Sequence, residues 1–147
     1  MDKNTPVGNI MTTKVITVGP NDTMDKVQDI FRKNNIHHVP IVDAGKVIGM
    51  VSHRDYLKLL HGFTLFKTHK SEEYNDAILR SILVKEVMVK QVATLVAEDT
   101  ISLAAGYFRE NLFHALPIID DDGMLVGIVT TYDLINYAFS EPSLSEK

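Results

Sequence analysis

The chain has 147 residues, with 15 Lys and Arg against 19 Asp and Glu, and a formal charge of −4. Its 45% hydrophobic and 23% charged residues fit one ordinary folded domain, or two small ones sharing a core; the acidic balance argues against a general nucleic-acid coat, and the lack of Cys excludes disulfide scaffolds, thiol nucleophiles and Cys-based zinc sites. No apolar run approaches the roughly 18 residues of a membrane helix, and Met1-Asp2-Lys3-Asn4-Thr5-Pro6 lacks the apolar core of a signal peptide, so the expected location is the cytoplasm.

In chain order, the first candidate strand is Val15-Ile16-Thr17-Val18. A helix follows, with Asp22 or Thr23 placed to cap it and apolar residues at Met24, Val27, Ile30 and Phe31. Then comes the strand Val39-Pro40-Ile41-Val42. Pro40 donates no backbone hydrogen and is therefore expected at a strand start or sheet edge. The turn Asp43-Ala44-Gly45-Lys46 leads to a nearly all-apolar strand, Val47-Ile48-Gly49-Met50-Val51, and to a short helix over 55–60. Residues 61–83 form a connector that is long for a bare loop, and 71–83 read as helical.

The pattern then recurs. Shifted by 77 residues, Val7 falls on Val84, Met11 on Met88, Val15 on Val92, Asp22-Thr23 on Asp99-Thr100, His37 on His114 and Pro40-Ile41 on Pro117-Ile118. After one extra residue in the turn Asp120-Asp121-Asp122-Gly123, Gly49 meets Gly127, Val51 meets Val129 and Asp55 meets Asp133. The second copy reads as a strand over 92–95, a helix burying Ile101, Ala104, Ala105, Phe108 and Leu112, strands over 116–119 and 125–129, where Pro117 takes the place of Pro40, and a helix over 133–139. Two copies are too few for an open solenoid. Each β-α-β-β-α unit leaves an apolar face uncovered and is marginal in size. The expected fold is therefore α/β (α+β): tandem repeats packed sheet to sheet about a pseudo-twofold. Its expected divisions are 1–60, the connector 61–83, 84–139 and a polar tail 140–147.

Each copy ends in Gly-apolar-apolar-Ser/Thr-x-x-Asp, as Gly49-Met50-Val51-Ser52-His53-Arg54-Asp55 and as Gly127-Ile128-Val129-Thr130-Thr131-Tyr132-Asp133. One reading is a helix-capping box, in which the hydroxyl takes an orphan amide for about 0.5–2 kcal/mol. The other uses the same geometry for binding. A helix N-terminus with a hydroxyl attracts phosphate, and an ionised carboxylate three residues on can accept both hydroxyls of a ribose. One cap can serve both ends.

The tandem units, the Met11 and Met88 lead-ins, the His-x-x-Pro-Ile segments and the two Gly-x-x-Ser/Thr-x-x-Asp endings together resemble a cystathionine-β-synthase (CBS) domain pair, or Bateman module, over about residues 7–139. The resemblance implies a homodimerising regulatory module that controls an effector protein. Its ligands would be adenosine compounds such as AMP, ADP, ATP or S-adenosylmethionine, with no cofactor required. It further implies two pockets built from both copies. One would take Thr17 and the turn Ile36-His37-His38-Val39-Pro40 with Thr130 and Asp133. The other would take Thr94 and Phe113-His114-Ala115-Leu116-Pro117 with Ser52, His53, Arg54 and Asp55. Ile36 in the first pocket and Phe113 in the second would be the candidate contacts of the adenine ring. Arg54, with Lys58, Lys67, Lys70 and three His around a single acid, favours polyphosphate at the Asp55 pocket, although a solvated linker face explains the same cations.

Other signals point elsewhere. His37-His38 are adjacent and face opposite ways in extended chain, and no His-Glu-x-x-His occurs, so no metal is expected. Asp120-Asp121-Asp122-Gly123 lacks the later Glu of a calcium loop. Asp55 and Asp133 belong to different pockets and make no acid–base pair, so no enzyme is expected. The competing reading is a ligand-free dimerisation and interaction scaffold. Nucleic-acid binding through the basic connector is a weaker third.

Overall fold

The computed structural model describes residues 2–63, 71–111 and 113–140. Leu112, Lys67, Lys70 and the tail beyond Ser140, all named above, lie outside them. The chain divides into two compact units, a central one of Ile16–Val92 and a terminal one that joins Met1–Val15 to Ala93–Lys147. The cut does not fall between the copies, because the lead-in of each copy packs into the unit of the other.

In the central unit, α1 (Met24–Lys33) turns Met24, Val27, Gln28 and Phe31 inward. The antiparallel pair β1 (His38–Asp43) and β2 (Lys46–Ser52) follows, then α2 (His53–Phe63), α3 (Ser71–Leu79) and the single turn α4 (Val84–Val87). The hairpin bends through positive φ at both Ala44 (51°) and Gly45 (83°). That sign matches the twist of the flanking strands. The core gathers Val18, Met24, Val27, Phe31, Val39, Ile41, Val51, Tyr56, Leu79 and Val84.

The expected first strand shrinks to one parallel bridge, Val18 with Ile41. Val18 N–H donates to Pro40 O (3.3 Å) and Val42 N–H to Val18 O (2.9 Å). The next step of a parallel ladder toward the N-terminus would need the nitrogen of Pro40, which carries no hydrogen. Proline therefore ends the ladder.

The terminal unit repeats the plan. A 3-10 turn at Val7–Asn9 precedes β3 (Leu95–Val96), α5 (Ile101–Arg109), β4 (Ala115–Ile119), β5 (Leu125–Thr130) and α6 (Thr131–Phe139). The sheet order is β3-β4-β5, with β3 parallel and β5 antiparallel to β4. Pro117 is thus the third residue of a central strand, where a start or an edge was expected. Its nitrogen costs nothing there, because β3 is two residues long and asks no bond of it. Thr100 caps α5 by accepting from Leu103 N–H at 3.2 Å. Thr23, at the matching place before α1, makes no such cap, and its hydroxyl donates to Asp25. Asp22 instead accepts from Gly19 N–H (2.7 Å) and Asp99 from Val96 N–H (2.9 Å), which pins the same loop in both units.

The lead-ins explain the exchange between copies. Thr12 and Ile128 trade two backbone bonds (2.8 and 2.9 Å), as do Met50 and Val89 (3.0 and 2.9 Å). A Cβ on Gly127 would stand 2.5 Å from Met11 Sδ, and one on Gly49 would stand 2.5 Å from Met88 Sδ. Each methionine therefore rides over the strand glycine of its unit, which only a bare Cα permits.

Candidate functional site: two capping boxes and the turns beside them

In the central unit Ser52 stands directly before α2 and Asp55 three residues on. Asp55 N–H donates to Ser52 Oγ (3.0 Å), and Ser52 N–H donates to Asp55 Oδ2 (3.0 Å). In the terminal unit Asp133 N–H donates to Thr130 Oγ1 (3.3 Å), and Thr130 N–H donates to Asp133 Oδ2 (2.9 Å). These are reciprocal capping boxes. Both are half-buried, at homologous positions, on the first turn of a helix.

The carboxylates are not exhausted by the caps. In each, the described bonds fall on Oδ2, and Oδ1 has no partner among the described residues. An ionised carboxylate accepts at both oxygens, so each box holds a fixed carboxylate with one edge available. The hydroxyls differ. The Thr130 hydroxyl donates to its own Asp133 Oδ2 (3.1 Å). Ser52 Oγ accepts from Asp55 and has no described acceptor for its hydrogen.

The turns expected at the site lie beside the boxes of their own units. His38 pairs with Ser52 and Ala115 with Thr130 across the two hairpins. His53 N–H donates to His37 O (2.7 Å), and Thr131 N–H to His114 O (3.4 Å). The central unit therefore brings together Ile36, His37, His38, Val39, Pro40, Ser52, His53, Arg54 and Asp55, with Thr17 one residue before the Val18 bridge. The terminal unit brings together Phe113, His114, Ala115, Leu116, Pro117, Thr130 and Asp133, with Thr94 one residue before β3. Val39, Pro40, Ala115, Leu116 and Pro117 are buried. His37, His114 and Arg54 are exposed. Ile36 and Phe113 are half-buried against the cores of their units, and Phe113 meets Tyr107 edge to face at 6.0 Å.

Sequence patterning overlooked an aromatic cluster at the central box. The His53 ring stands edge-on to Phe31 (5.1 Å) and to His37 (5.9 Å), and 5.9 Å from Tyr56. The pairing of His53 with Phe31 was hidden because it joins two helices distant in sequence. Among the described residues no group of three or more His, Asp or Glu is placed to hold a metal ion. No helix among them is long and apolar enough to cross a membrane.

Comparison with known proteins matches the model of the CBS domain to residues 7–62 and 84–140. An uncharacterized protein of Methanocaldococcus jannaschii, MJ1426, is 31% identical, over 88% of this chain and 88% of its own length. The crystal structure of MJ1225 from the same organism superposes with a TM-score of 0.78 at 24% identity, over 94% of this chain and 49% of that chain, and shows the likeness of fold. The CBS domain pair of protein MJ0100, solved in complex with 5′-methylthioadenosine and S-adenosyl-L-methionine, superposes with a TM-score of 0.73 at 27% identity, over 91% of this chain and 95% of that chain. Against several other curated relatives the chain spans half of their length or less.

Proposed function

This chain belongs to the CBS domain family, and from that premise we propose that it is a regulatory module that binds adenosine-containing ligands, AMP, ADP, ATP or S-adenosylmethionine, and controls a partner protein. One observation carries the reading. At both boxes a carboxylate is held by its own cap through Oδ2 and keeps Oδ1 unengaged among the described residues. The second oxygen of each carboxylate is not needed by the cap and stays open to water or to a ligand. A ribose diol uses it, with bonds to an ionised acceptor worth about 1.5–3 kcal/mol. The relative solved with 5′-methylthioadenosine and S-adenosyl-L-methionine supports the ligand class.

The two boxes are unequal. Ser52 retains a hydroxyl hydrogen for a phosphate oxygen, whereas Thr130 spends its own on Asp133. Arg54 and Lys58 are exposed beside Asp55, where Tyr132 and Asn136 stand in the second copy. A phosphorylated adenosine is therefore assigned to the Asp55 box, with Ile36 and Phe113 as the apolar contacts for adenine rings and the turns 36–40 and 113–117 as their backbone edges.

Association with a second copy has its own support. Tyr132, Ile135 and Phe139 are 71%, 59% and 80% exposed, and their spacing places them along one face of α6. The residues aligned with them on α2 are Arg54, Leu57 and His61, so the apolar stripe belongs to the second copy alone. Ile135→Asp is expected to lower the mass measured by light scattering from dimer to monomer.

Thermal melting against the adenosine series tests the function. A ligand at about 100 times its dissociation constant adds ~2.7 kcal/mol, or roughly 5–15 °C for a chain of this size. The 2′-deoxy analogue should shift melting distinctly less. No shift with any adenosine compound at millimolar concentration would favour the ligand-free scaffold instead.

A further inference from the structure

Among the described residues Gln28, 5% exposed, is the one buried residue with an amide or charged side chain. It sits four residues after Met24 and three before Phe31, on the stripe that α1 turns inward. A buried amide requires partners. Its oxygen accepts from the Tyr56 hydroxyl (2.6 Å) and from Arg32 Nη2 (3.3 Å), and its nitrogen donates to Asp76 Oδ1 (3.1 Å). The carboxylate can only accept, which decides which end of the amide is nitrogen. One side chain of α1 thereby ties α2 to α3. The second copy has no counterpart, because Ala105 and Leu134 align with Gln28 and Tyr56, and Asp76 belongs to the connector.

The described part of α3 buries little apolar surface. Of its described side chains only Leu79 is fully buried, while Tyr74 is exposed. Asn75 Oδ1 is buried with no partner among the described residues, which opposes docking. Elements with so few buried apolar contacts open at the low end of a protein's stability range. Tyr56, in turn, follows Asp55 directly, and its ring packs on Phe31 (5.7 Å) and His53 (5.9 Å). A shift of Tyr56 is therefore felt in the turn that carries the Ser52–Asp55 box.

We propose that α3 is a strap clasped to the Ser52–Asp55 box through Gln28, so that docking of the connector helix and order in the box rise and fall together, in the first copy only. Linkage makes the coupling reciprocal. A ligand on Asp55 tightens α3, and a protein that draws α3 away loosens the box. The clasp itself needs no ligand; only its ligand-driven half rests on the adenosine reading above.

Hydrogen exchange on the intact chain, read by mass spectrometry, tests the clasp. Asp76→Ala cuts the α3 end; Tyr56→Phe cuts the α2 end and keeps the ring. Each variant should speed exchange about 10-fold in both α3 and the first turn of α2, the loss expected for a buried hydrogen bond to a charged or well-ordered partner. Exchange in β1, β2 and α6 should stay at its wild-type rate, which also shows that the variants fold. Acceleration confined to α3 in Asp76→Ala, or none in either variant, overturns the coupling. Adding S-adenosylmethionine as a probe separates the two claims. Protection that reaches both α2 and α3 in wild type, and stops at α2 in Asp76→Ala, supports the linkage. Protection confined to α2 in wild type contradicts it. No protection anywhere counts against the adenosine reading, and the ligand-free experiment then decides the clasp alone.

Discussion

Gly127→Ala is the sharpest test of how the lead-ins pack. The new methyl would lie 2.5 Å from Met11 Sδ, 3.0 Å from Met11 Cγ and 3.1 Å from Thr12 O. Relaxed non-bonded contacts to carbon sit at roughly 3.5–4.0 Å, so the thioether must retreat by about 1 Å or more. The methionine can rotate away, but Thr12 O cannot follow freely, because it accepts from Ile128 N–H at 2.9 Å in the bridge that joins the lead-in to β5. Overpacking of this kind costs about 1–3 kcal/mol, or roughly 3–10 °C in melting temperature at this size. Urea unfolding measures it. Gly49→Ala repeats the perturbation in the central unit, where the methyl would meet Met88 Sδ at 2.5 Å and Val89 O at 3.1 Å. Shortening the methionine in the same chain should recover part of the loss, so the pairs Met11→Ala with Gly127→Ala and Met88→Ala with Gly49→Ala should couple by about 0.5–3 kcal/mol. If either glycine accepts alanine within 0.5 kcal/mol of wild type, or the double variants are additive, the methionines do not pack on these strands as described.

Further outcomes follow from local geometry. Ala44 holds φ 51° in the first hairpin, a region that costs a side chain about 1–2 kcal/mol, so Ala44→Gly should raise stability by about 0.5–1 kcal/mol in urea, once the greater freedom of glycine in the unfolded chain is deducted. The Gly19 backbone N–H, followed by Lys26, holds the Asp22 carboxyl below its usual 3.8. A carboxyl lowered by folding stabilises the folded chain above its unfolded value, and that contribution fades as pH falls below about 3.8 and through the folded value. Asp22→Asn should therefore be less stable than wild type at pH 7, and the difference should narrow in melts taken down that acid range. At the boxes, Asp55→Ala should weaken a phosphorylated adenosine more than Asp133→Ala does, by roughly 10-fold or more in titration calorimetry; intact affinity in Asp55→Ala with loss in Asp133→Ala would reverse the assignment.

Patterning alone made much of the fold legible. The strand pairs around Asp43–Lys46 and Asp120–Gly123, the apolar stripes of α1 and α5, and the two endings at Asp55 and Asp133 all rest on contacts between residues near in sequence. What escaped was non-local or hung on one atom. Val7 and Met11 read as the opening of the first copy, yet Val7 N–H bonds Asp99 O (2.7 Å) and Thr12 joins Ile128. Periodicity cannot see that exchange. The Val15–Val18 strand fell to a single bridge because Pro40 lacks one hydrogen, and the same atom explains why Pro117 is harmless in the middle of a sheet. Gln28 was passed over because a polar residue on an apolar face reads as solvent-exposed; its i+4 spacing from Met24 was the available clue. The Ser52 and Thr130 motifs admitted either a cap or a ligand contact. The structure makes them caps, with one carboxylate oxygen of each to spare among the described residues.

The most direct measurement is titration calorimetry of S-adenosylmethionine, AMP and ATP, each beside its 2′-deoxy counterpart where one exists, into wild type and into Asp55→Ala/Asp133→Ala. Saturable binding by wild type, weaker for the deoxy compounds and abolished in the double variant, is the predicted result. Binding that ignores the 2′-hydroxyl and survives loss of both carboxylates would contradict the account.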